Sequence, residues 1–153
     1  MPNDELLKLD NQLCFALYAC SRSLTRLYRP LLNKLGITYP QYLVLMVLWE
    51  NKQQAVSELG EKLLLDSGTL TPLLKRMETN GLVERTRSMQ DERKVFIKIS
   101  KKGKALKEQA LAIPEQMFCQ SGLTVEEFVR VKGDLKDLLK KILKQQEIPD
   151  VDE

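Results

Sequence analysis

The stretch from Leu65 to Ser100, LDSGTLTPLLKRMETNGLVERTRSMQDERKVFIKIS, decides how this chain folds. Asp66 or Ser67 supplies a side-chain oxygen for the free N–H groups of a first helical turn, and Asn80-Gly81 closes the helix because glycine takes the left-handed cap. Pro72 lies inside that span. It removes one hydrogen bond and crowds the carbonyl four residues back, so the helix is expected to start no earlier than Asp66, with a bent or loosened first turn. Beyond Gly81 the period changes to two: Val95, Ile97 and Ile99 alternate with Lys94, Phe96 and Lys98, which marks a strand. Its partner is Leu82 to Arg87, and the polar run Ser88 to Arg93 forms the tip of the resulting hairpin.

Working outward, a short helix from about Val56 to Leu63 precedes the Asp66 helix across a tight connection, the order of a helix-turn-helix. Further upstream, Leu6, Leu9, Leu13, Leu17, Cys20, Leu24, Leu27 and Leu31 trace one stripe at steps of three and four. This predicts a long helix from Leu6 to Leu35, with Cys20 buried on its stripe as a small hydrophobe. Gly36 stops it, and Thr38-Tyr39-Pro40 starts a second helix, about Pro40 to Asn51, that is apolar almost all round and belongs in the core. Downstream, Ser100 begins a helix that is expected to be disturbed at Pro114 and to end near Gly122. Thr124 with Glu127 forms a capping box for the last helix. There Phe128, Val131, Leu135, Leu138, Leu139 and Ile142 line one side and call for a partner surface.

The fold class that follows is mainly α: a winged helix-turn-helix with a two-stranded β-hairpin wing and N- and C-terminal helices forming a dimerisation region. The expected boundaries are one domain over residues 1–146, with a DNA-binding part at about 53–100 and dimerisation helices at about 4–35 and 101–146. Residues 147–153 are expected to be a disordered acidic tail. A helix-turn-helix monomer touches few base pairs, so a homodimer is expected.

Composition narrows the function. The 153 residues are 43% hydrophobic and 29% charged, a globular balance. The start, MPNDELLKLD, lacks the order of a secretory signal and no apolar run approaches a membrane span, so the expectation is a cytoplasmic protein without a membrane partner. The net charge of +3 is unevenly placed: ten Lys and Arg face five acids between Asp66 and Lys104, and the remainder of the chain is net negative. A local positive field of this kind suits a surface that meets phosphates. The absence of histidine removes Ser-His-Asp and Cys-His catalysis and His-containing zinc sites. Cys14, Cys20 and Cys119 are odd in number and lack CxxC spacing, so neither a disulfide framework nor a four-thiolate metal site is supported. No cofactor, no metal and no enzymatic activity are expected.

The order of parts, with the run Leu65 to Glu78, Asn80-Gly81-Leu82-Val83 and Asp91-Glu92-Arg93, resembles the MarR family of winged-helix regulators along nearly the whole chain. Cys14, Tyr28 and Tyr39 resemble that family's organic-hydroperoxide-sensing branch, the OhrR type, and Cys119 is similar to the second cysteine of its two-cysteine members. The resemblance implies a dimeric DNA-binding regulator, usually a repressor, on an inverted-repeat operator in double-stranded DNA. Recognition helices enter successive major grooves and wings reach the flanking minor grooves. Ser67, Thr69 and Thr71 then meet base edges or phosphates, Lys75 and Arg76 hold the backbone, and Arg87 is a further DNA-binding residue. Arg93 enters a narrow minor groove, with Asp91 orienting it through a charge-assisted hydrogen bond.

The same resemblance makes Cys14 the thiol oxidised by an organic hydroperoxide, Cys119 the thiol that condenses with it, and Tyr28 and Tyr39 the pocket that favours its thiolate; Tyr18, one helical turn from Cys14, is expected to line the same pocket. On residues alone, Cys14 stays open between a small buried group and a reactive thiol. Helical geometry adds one constraint. Tyr28 lies fourteen residues on, about 21 Å further along a straight helix, so it cannot touch Cys14 of its own chain. If the two meet, they do so across a dimer. Three rivals stand beside this reading: a regulator released by a noncovalent phenolic ligand, a thiol peroxidase, and a helical dimerisation module without DNA affinity.

Overall fold

The computed structural model describes residues 3–147, so the expected acidic tail lies outside the described residues from Ile148 onward. The chain divides into two units, residues 1–114 and 115–153. No helix among the described residues is long and apolar enough to cross a membrane.

The first unit opens with two 3-10 turns, Asn3–Leu7 and Leu9–Asn11, and the first α-helix, α1, runs Leu13–Asn33. The expected helix from Leu6 is therefore too long at its start. Side-chain amides are the cause: Asn11 Nδ2 donates to the Glu5 carbonyl at 2.7 Å, and Gln12 Nε2 donates to the carbonyls of Leu6 at 2.6 Å and Lys8 at 2.9 Å. Those carbonyls are thereby satisfied without a helical turn. Helix α2, Tyr39–Asn51, starts at a capping box in which Thr38 Oγ1 accepts from the Gln41 N–H while Gln41 Oε1 accepts from the Thr38 N–H. It buries Tyr42, Val44, Leu45 and Leu48, as its nearly uniform apolarity predicts.

Strand β1, Gln53–Ala55, follows at once. It is a third strand beyond the expected hairpin, pairing antiparallel with β3, Val95–Ile99, in the order β1-β3-β2, where β2 is Val83–Arg87. Three residues are too few to show a period of two. Helix α3, Val56–Leu63, and helix α4, Ser67–Thr79, form the helix-turn-helix. Leu59, Leu70, Leu74, Met77 and Ile97 are almost wholly buried, joining α3, α4 and the sheet in one core with α2.

The best-anchored point lies where β3 runs into α5, Lys101–Ala110. Ser100 Oγ accepts from the Gly103 N–H at 3.0 Å and donates to the Gly81 carbonyl at 2.6 Å, and the Ser100 N–H donates to the Leu82 carbonyl at 3.1 Å. Lys102 Nζ donates to the Asn80 carbonyl at 2.8 Å, at the end of α4, and Trp49 Nε1 of α2 donates to the Gly103 carbonyl at 3.0 Å. A Cβ at Gly103 would collide with the Leu82 carbonyl and sit 2.9 Å from Ile99 Cγ1. Only glycine permits that approach.

Helix α5 ends at Ala110, and α6, Ile113–Ser121, restarts with Pro114 in its first turn. The break thus falls before Pro114 rather than at it, because the proline ring is incompatible with a helical carbonyl at residue 110, four back. In the second unit, Phe118 meets Phe128 edge-on at 5.6 Å, and the Thr124–Glu127 capping box opens α7, Val125–Gln146, as expected. None of the 22 residues of α7 is buried, and α1 buries only Leu32 among its 21. Both carry long apolar stripes on which several large residues are exposed, Leu13 and Leu24 on α1 and Leu135, Leu139 and Ile142 on α7. Cys20 is accordingly exposed, against its expected burial, since the stripe on which it sits is not packed inside the chain.

Two glycine substitutions have opposite expected effects on thermal unfolding. Gly103→Ala lowers stability by about 2 kcal/mol or more through the clash with Leu82. Gly133→Ala, with nothing within 4 Å of its added Cβ, raises it by up to about 1 kcal/mol through helix propensity.

Candidate nucleic-acid interface

Helix α4 is capped by Asp66 rather than Ser67: Asp66 Oδ1 accepts from the Thr69 N–H at 2.7 Å. The backbone and hydroxyl of Thr69 together hold the Asp66 carboxyl below its usual range. The cap is therefore ionised, and the Thr69 hydroxyl leans on it. Pro72 is accommodated within an unbroken helix from Ser67 to Thr79. The N–H it lacks is the one that would bond the carbonyl of Gly68.

Leu70, Leu73, Leu74 and Met77 define the buried face of α4. Directly opposite, by helical spacing, runs the line Gly68, Pro72, Lys75 and Thr79. Ser67 and Thr71 flank it on one side, Thr69 and Arg76 on the other. Ser67, Thr69, Lys75 and Arg76 are exposed and Thr71 is half-buried. The outward line has little side-chain bulk in its N-terminal half, where Gly68 and Pro72 expose backbone and ring. Neither position carries a hydrogen-bonding side chain, so nothing in their residue types marks them as part of a DNA-facing line.

At the hairpin, Arg87, Asp91 and Arg93 are all exposed. Asp91 has a different role from the expected one. Its carboxylate accepts from the backbone N–H of Arg93 at 3.1 Å, and it makes no ion pair with the Arg93 guanidinium among the described residues. Asp91 thus shapes the turn and leaves the guanidinium free to reach outward. Arg85, also overlooked in the sequence, is tied at its N–H to Glu78 Oε2 at 3.2 Å. Its side chain lines a cavity of about 220 Å3 with Glu78 and Arg87, and its buried Nε has no partner.

Cys14, on the first turn of α1, and Cys119, on α6, are exposed free thiols. Cys119 falls on the sixth α-helix rather than the fifth because of the break before Pro114. Tyr28 and Tyr39 pack with ring centroids 4.8 Å apart, and Tyr42, missed in the sequence because it reads as core, completes the cluster at 5.9 and 6.3 Å from them. Burial raises the pKa of all three, and mutual repulsion adds to this at Tyr28 and Tyr42. They remain neutral O–H donors at physiological pH. Tyr18 stands apart from the cluster, exposed, with the Arg22 guanidinium 5.2 Å from its ring centre. A cavity of about 290 Å3 opens beside Tyr39, between Thr25, Arg29 and Leu32 of α1 and Ile37 and Pro40. No group of carboxylates and thiols among the described residues is placed to hold a metal ion.

On duplex DNA, Arg93→Ala and Lys75→Ala are each expected to weaken binding about tenfold and to lower the slope of log affinity against log salt by about 1, as one phosphate-field contact is lost. Anisotropy titrations across a salt series measure both. For the cap, a carboxyl depressed in the folded state stabilises above the ordinary carboxylate pKa and ceases to do so as pH falls through the depressed value. The unfolding midpoint of Asp66→Ala should therefore lie below the parent by a constant amount from neutral pH to about 4 and converge with it in stronger acid.

Residues 26–110 match the family described as transcriptional regulator SarA/Rot. The chain is 53% identical over 133 residues to the organic hydroperoxide resistance transcriptional regulator of Bacillus subtilis, covering 87% of this chain and 90% of that one. Among solved structures it is similar to AbfR of Staphylococcus epidermidis: reduced and bound to DNA, at 39% identity and a TM-score of 0.73, covering 92% of this chain and 99% of that one. AbfR has also been solved overoxidised on DNA, with a TM-score of 0.72, and with a disulfide formed, with a TM-score of 0.60. A variant of Escherichia coli MarR complexed with operator DNA matches at 25% identity with a TM-score of 0.76, covering 91% of this chain and 99% of that one. The helix-turn-helix, the hairpin and these matches agree: the chain belongs to the MarR family as a SarA/Rot-type winged-helix regulator, a DNA-binding transcriptional regulator rather than an enzyme.

Proposed function

We propose that this regulator is a homodimeric, peroxide-responsive repressor that leaves an inverted-repeat operator when Cys14 is oxidised. The observation that carries the reading is the separation, along α1, of an exposed Cys14 from Tyr28, on which Tyr39 and Tyr42 of α2 pack. About 21 Å of helix lies between them, so the cluster serves the thiol of a second copy or none. The exposed apolar residues along α1 and along α7 offer a surface for that second copy, and the relatives supply the chemistry by name.

In the proposed switch, the Cys14 thiolate attacks the terminal oxygen of an organic hydroperoxide. The O–O bond breaks, the alkoxide leaves and takes a proton from solvent to become the alcohol, and Cys14 becomes a sulfenic acid. The Cys119 thiol, from the partner subunit, then attacks that sulfur and expels water, giving a disulfide. Neutral phenols donating to the Cys14 sulfur favour its thiolate form. The disulfide changes the spacing of the two recognition helices, so that Ser67, Thr71, Lys75 and Arg76 no longer reach both half-sites. An overoxidised AbfR on DNA, beside a disulfide-formed one, favours the crosslink over added charge as the releasing event.

The test is a gel shift on the duplex upstream of the protein's own gene, before and after an organic hydroperoxide. The parent is expected to lose the shift and to regain it with a thiol reductant, Cys14→Ser to keep it, and Cys119→Ser to keep it or lose it only at higher oxidant. Release of Cys14→Ser at the parental dose overturns the redox reading and favours a noncovalent ligand.

A further inference from the structure

We propose that Met89, at the apex of the wing, is an apolar DNA contact that inserts beside Arg93, and that its conversion to the sulfoxide weakens the complex independently of the cysteines. Every other apolar residue from Leu82 to Ile99 is buried or half-buried, whereas Met89 is 102% exposed. The turn that presents it is internally satisfied. Ser88 Oγ accepts from the N–H groups of Gln90 at 3.2 Å and Asp91 at 3.3 Å, and Asp91 holds Arg93 and Lys94 through its carboxylate and carbonyl. The loop therefore does not use Met89 to fold; it displays it, two residues after Arg87 and four before Arg93 along the chain, both of them exposed as well.

An unbranched thioether adapts to an irregular surface, and apolar wedges of this size partly unstack base steps from the minor groove. Arginines hold the wing to phosphates and groove edges, while the methionine adds contact area that carries no charge. The same exposure makes Met89 reachable by oxidants. Among the described methionines, Met77 and Met117 are buried and Met46 is half-buried. The Met89 sulfur attacks the terminal oxygen of a hydroperoxide, the O–O bond breaks, and the proton leaves with the alcohol. Sulfur loses two electrons, the peroxide gains them, and the sulfoxide is polar where the thioether was not.

This inference rests on the wing meeting DNA, so Arg93→Ala serves as the reference. In titrations of the reduced full-length chain, Met89→Gln is expected to bind about threefold to tenfold more weakly with the salt slope unchanged, since no charge is lost, and Met89→Leu to bind like the parent. Parental affinity for Met89→Gln beside a weakened Arg93→Ala overturns the Met89 contact alone. Parental affinity for Arg93→Ala overturns the wing reading itself. A Met89→Leu as weak as Met89→Gln overturns an apolar role.

For the oxidation, Cys14→Ser is treated with excess hydroperoxide until mass analysis shows one oxygen on Met89, then incubated with a thiol reductant, which reverses thiol oxidation and leaves the sulfoxide. The weakened binding should persist and should be absent from Cys14→Ser carrying Met89→Leu. Equal weakening in both overturns the modification site.

Discussion

The carbonyl of Leu82 sits against the α-carbon of Gly103, and the rest of the DNA-binding unit is arranged around that contact. It fixes where β2 leaves α4 and where α5 leaves β3, so the recognition helix, the hairpin and the following helix share one anchor. Ser100, Lys102 and Trp49 each add a hydrogen bond to the same junction, and two of them end on the carbonyls of Asn80 and Gly81, at the C-terminus of α4. A displacement of α5 therefore acts on α4 and the wing together. The carbonyls of Met77 and Glu78 accept from the N–H groups of Leu82 and Gly81, and those of Asn80 and Gly81, just past the helix, accept from α5 and its cap, which joins a local cap to a tertiary one.

The two long helices have the opposite character. α1 and α7 present apolar stripes with much of their surface exposed, Leu13, Leu24, Leu135 and Ile142 among them, and Cys20 on the α1 stripe is exposed with them. A core that is complete between α2 and the sheet, beside helices that are unfinished alone, divides the labour physically. The reading surface is anchored by contacts within one chain, while the proposed sensing surface forms only when two chains pair. Such a division lets a covalent event at the pairing surface move a reading head without melting it.

Legibility in the sequence followed the range of the forces involved. The caps at Thr38, Asp66, Ser100 and Thr124, the glycine stops, and the alternation of Val95, Ile97 and Ile99 are local, and each is readable from a few neighbouring residues. The early start expected for the first helix fails because the side chains of Asn11 and Gln12 bond the carbonyls of Glu5, Leu6 and Lys8, a competition that a hydrophobic stripe does not reveal. β1 is invisible for a different reason: three residues become a strand only because Ile97 and its neighbours offer an edge. Asp91 falls at the wing as expected but with another donor, since its nearest N–H belongs to the backbone.

From its residues alone this chain determined its fold class, its helix-turn-helix and hairpin, the concentration of positive charge between residues 66 and 104, and the impossibility of a Cys14–Tyr28 contact along one helix. These depend on periodicity, capping and formal charge, which neighbouring residues set. Tertiary structure decided which line of α4 faces outward, that Gly103 is compulsory, that Tyr42 joins Tyr28 and Tyr39, and that Met89 is displayed while every other apolar residue of its hairpin is buried or half-buried. Those outcomes rest on contacts between residues far apart in the chain, and a side chain's exposure is not a property of its neighbours in sequence but of what packs against it.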